Sequence, residues 1–390
     1  MKQLEIFYRT FLAVFLTLTA NTIQASETDI SKMDSVEIGL ITCTPHEEIY
    51  SLYGHTALRY HNLKTGQDLV VNYGVFNFKA PHFIARFVLG KTDYELGVIP
   101  LEPFCKYYKD WGSAVIEQVL NLSEEEKKRI AIALTINLRP ENRVYRYNFF
   151  YDNCSTRPRD IVENNLIGKI VYSKENNKDL SYREMIHELN AHHPWAAFGN
   201  DLLLGAKADV NTDRRQQEFL PMNLMDDFDK AQVYYNGAYR PLVKERRTLV
   251  EPGIQLIEKD FPLSPKLCFL LFLSFVLCIT AFERKRRLCL VYFDVFLMSA
   301  IGLIGCLLVV MLFSEHPTTS TNLQILLFNP LSIIFIPTII RRQKTIFWKL
   351  LFFSLILFVI GGFFQDYAEG TEFLALSLLL RILIHHINDK

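Results

Sequence analysis

The chain has no excess of charge of either sign. Its 390 residues include 42 Lys and Arg against 42 Asp and Glu, so the formal net charge is +0. Proteins that bind nucleic acids present basic patches, and no such patch stands out here. We therefore expect no nucleic-acid partner. The sequence also lacks internal repeats and low-complexity tracts.

Cysteine is scarce, with seven residues in 390. Four of them lie in the apolar runs of the C-terminal half, where thiols usually act as small core residues: Cys268, Cys278, Cys289 and Cys306. Three lie in the N-terminal part: Cys43, Cys105 and Cys154. Because three is odd, at least one thiol stays reduced or pairs between chains. A Cys43–Cys105 disulfide that leaves Cys154 reduced is one arrangement that an exported domain allows.

What the chain does have is long apolar runs. Lys2 and Arg9 flank an apolar segment at residues 11–18, and a cleavage-like sequence ends at Ala25. This pattern predicts a secretory signal peptide over residues 1–25. The alternative is an uncleaved N-terminal anchor, because Ile23 is larger than the residue usually found at that position. In both cases the following segment is exported.

The C-terminal half predicts an all-α transmembrane bundle of about five helices. Its apolar runs cover residues 267–282, 288–313, 323–340, 346–364 and 373–387. The joints at 283–287 and 341–344 are basic, so the positive-inside rule places them in the cytoplasm and the N-terminal domain outside. The predicted organisation is a signal peptide (1–25), a periplasmic domain (26–242), a charged linker (243–265) and a transmembrane domain (266–390).

Charged residues inside the apolar runs are expected to serve structure. Asp294 lies close to the basic joint and is predicted to pair with Arg287. Arg381 is predicted to extend its side chain to the cytoplasmic surface.

The exported domain has the mixed pattern of an α+β fold. Two β-rich segments flank the turn-like residues 64–67, which predicts a hairpin with His55 on one arm and Asn72 on the other. Ser123 followed by Glu126 forms a capping box and predicts a helix start. A second helix start is predicted near Cys154, because Asp152 and Asn153 are N-cap residues and Pro158 is tolerated in a first turn.

A thiol at a helix start has the properties of a nucleophile. The helix dipole and free N–H groups stabilise the thiolate, which is the reactive form. His55 could remove the thiol proton, and Asn72 could orient His55. These three are the predicted catalytic residues. The alternative is that Cys154 is a buried structural thiol.

Four further residues are candidate substrate contacts: Tyr151, Asn153, Arg157 and His316. Arg157 could bind a phosphate headgroup, although a surface ion pair is the simpler explanation. His316 could meet a substrate at the outer membrane surface or only cap a loop. His187, His192 and His193 have no Cys or carboxylate at zinc-ligand spacing, so neither a metal nor a cofactor is expected.

The order His55, Asn72, Cys154 resembles the circularly permuted papain-like superfamily, which includes NlpC/P60-type hydrolases and lecithin–retinol acyltransferases. Within it, the chain is similar to the Lnb-type lipoprotein N-acyltransferases. The matching strings are 53–59 (YGHTALR), 72–74 (NYG), 76–78 (FNF), 90–94 (GKTDY), 149–157 (FFYDNCSTR), 199–205 (GNDLLLG), 316–317 (HP) and 327–330 (LFNP). The resemblance implies a permuted papain-like periplasmic domain followed by a membrane bundle.

This resemblance also implies a function. A phospholipid acyl chain would move through a Cys154 thioester to the N-terminal amine of a diacylated lipoprotein. The enzyme would be a multi-pass protein of the bacterial inner membrane with its site in the periplasm. Two alternatives remain: a membrane-anchored cysteine hydrolase that cleaves cell-wall peptides or amides, and a non-enzymatic membrane assembly protein.

Overall fold

The computed structural model describes residues 33–76, 81–173, 179–255, 261–341 and 346–388. The signal peptide predicted for residues 1–25 lies outside these ranges. The elements of the N-terminal part, in chain order, are β1 (Val36–Cys43), β2 (His55–Asn62), β3 (Gln67–Val75), α1 (Phe83–Val88), β4 (Asp93–Pro100), α2 (Leu101–Asp110), β5 (Val115–Leu120), α3 (Glu124–Asn137), β6 (Val144–Arg146), α4 (Thr156–Asn165), β7 (Lys169–Val171), α5 (Tyr182–Leu189), α6 (Pro194–Leu203), α7 (Arg214–Gln217), α8 (Pro221–Lys230), β8 (Gln232–Tyr235), β9 (Ala238–Pro241) and β10 (Val243–Val250).

An antiparallel sheet of seven strands organises this domain. The strand order is β10-β5-β1-β2-β3-β4-β6, and a small sheet β7-β8-β9 lies apart from it. The mixed α and β content predicted from the sequence is confirmed. The predicted hairpin is also present, because β2 pairs with β3 with Ala57 opposite Asn72. The capping box of Ser123 and Glu126 starts α3 as predicted.

Helices cover both faces of the large sheet. On one face α3, α4 and α8 contribute Ile130, Val162 and Phe228 to the main core. On the other face α2 packs Phe104 and Tyr108 against the sheet. Burying both faces leaves the ends of the strands as the accessible part of the sheet, and one of these ends carries the candidate site.

The segment predicted as a linker at 243–265 begins with a strand. Residues Val243–Val250 form β10, which pairs with β5 at the sheet edge. Arg247 of this strand is ion-paired with Glu37 at 2.7 Å. Charged side chains are a common feature of edge strands, where they discourage pairing with other molecules. The charge that suggested a linker therefore belongs to the rim of the sheet.

The C-terminal part is helical, as predicted. It contains α9 (Pro265–Arg286), α10 (Val291–Leu312), α11 (Leu331–Ile334), α12 (Ile336–Ile340), α13 (Phe347–Gly361) and α14 (Thr371–Asn388). Among the described residues, α9 and α10 are long and apolar enough to cross a membrane, and α13 is a shorter apolar helix.

The third predicted span is not one helix. Residues 323–340 form a short 3-10 helix followed by α11 and α12. Pro330 and Pro337 lack the N–H that would continue a helix, which explains the breaks. The broken segment packs closely on α10, since a side chain at Gly305 would lie 2.1 Å from the Phe328 carbonyl oxygen. Such irregular backbone is tolerated at membrane depth where protein surrounds it.

A buried ion cluster joins three helices at the end of the bundle that carries the basic joint. Arg381 of α14 contacts Glu283 of α9 and lies 2.7 Å from Asp294 of α10, and none of the three side chains is exposed. His385 adds a 2.9 Å contact to Asp294. The predictions for Arg381 and Asp294 are therefore wrong: Arg381 does not reach the surface, and it takes the place predicted for Arg287. One guanidinium thus serves two carboxylates away from water, and His385 gives Asp294 a further polar contact.

Backbone hydrogen bonds dock the periplasmic domain on the other end of the bundle. Gly205 N–H donates to the Thr318 carbonyl and Ala206 N–H to the Thr321 carbonyl, each at 2.8 Å. The buried Gln324 side chain donates to the Asp201 carbonyl at 2.7 Å. These contacts use a non-basic joint of the membrane half, which agrees with the predicted orientation.

The ion cluster should contribute strongly to stability. We expect Arg381→Leu to destabilise the protein by about 3–5 kcal/mol, because it leaves two buried carboxylates without their cation. Thermal unfolding in detergent measures this, with Arg286→Leu at an exposed position of α9 as the control. Adding Glu283→Gln and Asp294→Asn should recover part of the loss. Equal melting of Arg381→Leu and the control would contradict this role.

Candidate active site

The start of β2 and the end of β3 bring a histidine and an amide together. His55 and Ala57 share one face of β2, and Asn72 lies opposite Ala57 on the same face. His55 Nε2 lies 3.0 Å from Asn72 Oδ1. Because the amide oxygen is an acceptor, Nε2 carries the hydrogen of this bond. The other ring nitrogen, Nδ1, is then left for the thiol.

Cys154 lies in the turn before α4, two residues ahead of the helix. The turn is held by Asn153, which is only 2 % exposed. Its Oδ1 accepts the N–H groups of Ser155 and Thr156 at 2.8 and 2.9 Å. Its Nδ2 donates to the carbonyls of Phe149 and Phe219, both at 2.8 Å. Asn153 is thus the side-chain cap of α4. Its amide is fully bonded within the protein, and its predicted contact with substrate stays a prediction.

Three groups contact the Cys154 sulfur: the His55 ring, the backbone N–H of Thr56 and the hydroxyl of Tyr147. Burial alone would raise the pKa of the Cys154 thiol. The charge and hydrogen bond of His55, with the other two donors, outweigh burial and bring the pKa below its ordinary value. Burial would also lower the pKa of His55, but the Cys154 charge and the bonds to Cys154 and Asn72 raise it. Both shifts favour a thiolate–imidazolium pair.

Tyr147 is a site residue that sequence reasoning missed. Burial raises its pKa well above the ordinary value, so the hydroxyl stays protonated and donates to the sulfur. Its ring stacks on Tyr94 with centroids 4.3 Å apart. Gly74, at φ +91°, leaves room for Tyr147 and Cys154 to pack against the backbone. A Cβ at this position would lie 3.3 Å from the Tyr147 ring and 3.6 Å from Cys154 Cβ. Only the aromatic stretch around Tyr147 and the NYG string hinted at this contact.

Tyr108 of α2 forms the wall behind His55. The two rings are nearly parallel, with centroids 6.4 Å apart and an angle of 14° between their planes. Tyr108 is buried. With Nε2 bonded to Asn72, Nδ1 is the ring nitrogen available for the hydrogen bond between His55 and Cys154.

The three other candidate substrate contacts have partners within the protein, and their predicted role stays a prediction. Arg157 is ion-paired with Asp152 at 2.5 Å, and its guanidinium stacks on the Tyr145 ring at 3.5 Å, as the ion-pair alternative predicted. Tyr151 is exposed and its ring meets Tyr182 edge-on. His316 Nε2 donates to the Phe87 carbonyl at 2.8 Å. The described contacts of these residues do not reach Cys154.

One group of potential metal ligands occurs among the described residues: Cys289, Asp294 and His385. It lies in the membrane half and belongs to the ion cluster. Arg381 already contacts both oxygens of Asp294, at 2.7 and 3.1 Å. A metal cation would have to displace the guanidinium, so we assign these residues to the ion pair.

Comparison with protein families decides the relationship of the chain. The model of the Lnb N-terminal periplasmic domain matches residues 24–187, and the model of the Lnb transmembrane domain matches residues 257–390. The chain belongs to the Lnb family. No curated protein and no solved structure is similar enough to count as a match. The predicted family is confirmed, and the chain is a membrane protein with a periplasmic domain that acts on lipoproteins.

The arrangement around Cys154 predicts a reactive thiol at neutral pH. We expect the rate of Cys154 alkylation by iodoacetamide to rise with a midpoint below the ordinary thiol value of about 8.5. In His55→Ala the midpoint should move up, because the main influence that lowers the thiol pKa is removed. Peptide mass spectrometry across a pH series follows Cys154 separately from the other thiols. An unchanged midpoint in His55→Ala would refute the ion pair.

Tyr147 should contribute to the same shift. Tyr147→Phe removes one donor to the thiolate, so the alkylation midpoint of Cys154 should rise, by less than in His55→Ala. Tyr94→Phe is the matched control, since it removes a neighbouring hydroxyl and keeps the stacked ring. If both variants behave alike, the hydroxyl of Tyr147 has no particular role at the sulfur.

Proposed function

We propose that this Lnb-family protein is a thiol acyltransferase with Cys154 as its nucleophile. An acyl chain would pass from an ester of a membrane phospholipid to Cys154, and from there to the N-terminal amine of a diacylated lipoprotein. The observation that carries the proposal is the bonded Cys154–His55 pair. The pair lies in a domain that is docked on a transmembrane half. The membrane would supply both the lipid ester and the lipoprotein.

In the first half-reaction the Cys154 thiolate attacks the ester carbonyl of the lipid. A tetrahedral oxyanion forms and collapses as the C–O bond of the ester breaks. The His55 imidazolium gives its proton to the departing alkoxide, which leaves a lysolipid and an S-acyl Cys154. Asn72 keeps the His55 tautomer and ring plane fixed through both proton transfers.

The donors for the oxyanion follow from the turn before α4. Asn153 already occupies the N–H groups of Ser155 and Thr156, so these cannot serve. The N–H of Thr56 and the hydroxyl of Tyr147, which both contact the sulfur, and the N–H of Cys154 itself would be the donors that remain. Once the sulfur is acylated it carries no charge, and the Tyr147 hydroxyl becomes available to the carbonyl oxygen. Preorganised donors of this kind supply a large part of the rate enhancement in acyl transfer.

In the second half-reaction the neutral α-amine of the lipoprotein attacks the thioester carbonyl. His55, now unprotonated, accepts the proton that the amine loses. The C–S bond breaks, the acyl group becomes an amide, and the thiolate–imidazolium pair is restored. An amine competes well with water only if water is scarce near the thioester. The aromatic side chains of Tyr94, Tyr108 and Tyr147 give the site such an environment.

An acyl-enzyme assay tests the proposal. Purified protein is mixed with vesicles of phospholipid with deuterated acyl chains, and Cys154 is examined by peptide mass spectrometry. We expect a deuterated acyl mass on Cys154 that hydroxylamine removes, and N-acylation of an added diacylated lipopeptide. Cys154→Ala should abolish both, whereas Cys105→Ala should retain both. Cys105 is a fair control, because it is a free, partly buried thiol of the same domain.

The outcomes separate the alternatives. A lack of acyl mass on Cys154, with its thiol shown to be reduced, would reject the transferase. Turnover of peptides without lipid would indicate a cysteine hydrolase. An N-acyl product without deuterium, with loss of one ester chain from the lipopeptide, would reject phospholipid as the donor and locate the donor ester in the acceptor.

A further inference from the structure

Helix α1 presents apolar side chains that nothing in the described chain covers. None of its residues is buried. Ile84 is 78 % exposed, Phe87 43 % and Leu89, directly after the helix, 38 %. Soluble surfaces rarely carry such clusters without a partner. We name Ile84, Phe87 and Leu89 the apolar patch.

Hydrogen bonds fix this patch beside the membrane half. Glu315 N–H donates to the Leu89 carbonyl at 3.0 Å, and His316 donates to the Phe87 carbonyl. The segment after α1 packs closely on the segment after α10, since a Cβ at Gly90 would lie 2.6 Å from the backbone nitrogen of His316. The patch therefore has a defined height relative to α10, which ends just before Glu315.

The length of α10 indicates where the apolar patch lies relative to the bilayer. Its 22 residues span about 33 Å, close to the thickness of a hydrocarbon core. The basic joint precedes it, so its other end lies at the periplasmic boundary. Phe313 at that end is 83 % exposed and continues the lipid-facing surface of the helix. The apolar patch is continuous with this boundary.

Charged groups accompany the patch in the way expected of an interfacial segment. Arg86 and Arg146 each contact Asp93 at 2.7 Å, and Lys91 lies 3.8 Å from Glu315. Three cations face two carboxylates, which leaves one positive charge beside the patch. Segments with an apolar face and a cationic margin lie in the headgroup region of anionic membranes.

The patch is also joined to the candidate site on both sides. Before it, β3 carries Asn72 at the His55 ring. After it, the Thr92 carbonyl accepts the Tyr147 N–H at 3.3 Å, and Tyr94 stacks on the same tyrosine. The position of the patch thus fixes the position of the Cys154 surroundings.

We propose that Ile84, Phe87 and Leu89 insert into the acyl-chain boundary of the periplasmic leaflet. The occupant of the patch is the lipid bilayer, and insertion holds the Cys154 site against the surface where lipid esters lie. The insertion itself does not depend on the reaction. Only its consequence for lipid esters rests on the proposed function.

Depth-dependent quenching tests the insertion in full-length protein reconstituted with phospholipids brominated along their acyl chains. Ile84→Trp should add fluorescence that the brominated lipids quench relative to unbrominated lipid, because the apolar face of an interfacial segment lies at the acyl-chain boundary. Leu63→Trp is the matched control, because Leu63 is 57 % exposed in the turn at the far end of β2 from His55. Its added fluorescence should remain unquenched. Phe87→Trp provides a second reporter.

If the added fluorescence of Ile84→Trp and Phe87→Trp is no more quenched than that of Leu63→Trp, the insertion is rejected. Quenching without any thioester in the unsubstituted protein would sustain the insertion and reject the proposed function. The experiment can therefore reject the membrane insertion and the acyltransferase function independently of each other.

A second comparison tests the consequence for the reaction. Ile84→Asp should slow Cys154 acylation by vesicle lipid roughly tenfold, since transfer of an isoleucine side chain out of water is worth about an order of magnitude. Leu63→Asp should leave it unchanged. Alkylation of Cys154 by iodoacetamide, which is soluble, should be equal in both. Loss of alkylation in Ile84→Asp would assign the residue to the structure of the site and reject a role in lipid contact.

Discussion

The docking of the periplasmic domain on the membrane half is the constraint on which the rest of the structure depends. Gly205 and Ala206 donate backbone hydrogen bonds to Thr318 and Thr321. A side chain at Gly205 would lie 2.3 Å from the Thr321 carbonyl oxygen, so only glycine permits this approach. Paired backbone groups tolerate little sliding, because an unpaired buried polar group is costly. The docking therefore fixes the height of the whole thiol domain above the lipid.

Amide side chains carry this constraint to the candidate site. Asn200, beside the docked segment, donates to the Tyr53 hydroxyl at 2.8 Å, and Tyr53 stands two residues before His55. On the other side, Asn153 ties the Cys154 turn to the Phe219 carbonyl. Exposed ion pairs would hold these parts only weakly, since each contributes about 0–1 kcal/mol. Hydrogen-bonded amide side chains hold the frame without adding charge near the thiol.

Features that depend on residues close in the chain could be predicted from the sequence. Contacts between distant segments could not. Strand alternation and turn residues predicted the hairpin of His55 and Asn72, and the capping residues predicted the helix after Cys154. The apolar run at 323–340 predicted one span, although Pro330 and Pro337 in it already signalled the breaks. Hydropathy alone cannot distinguish a helix in lipid from irregular backbone packed against α10. Arg381 and Tyr147 gave no local signal, because their partners Glu283 and Cys154 come from remote segments.

The two ends of the membrane half differ in the burial of their ion pairs, and this difference suits the position of the thiol. At the end with the basic joint, Arg381 binds Glu283 and Asp294 and so ties α9, α10 and α14 together in a place that substrate does not need to enter. At the periplasmic end the helices meet the thiol domain through backbone and amide groups, and through exposed ion pairs of Glu315 with Lys91 and Arg146. A buried charge close to Cys154 and His55 would shift the pKa values of both groups. The buried ion cluster lies at the end away from the thiol domain, and the ion pairs of Glu315 are exposed to solvent. Among the described residues, none of the groups that shift the pKa of Cys154 comes from the membrane half, so the bundle holds the thiol domain without altering the charge of the thiol.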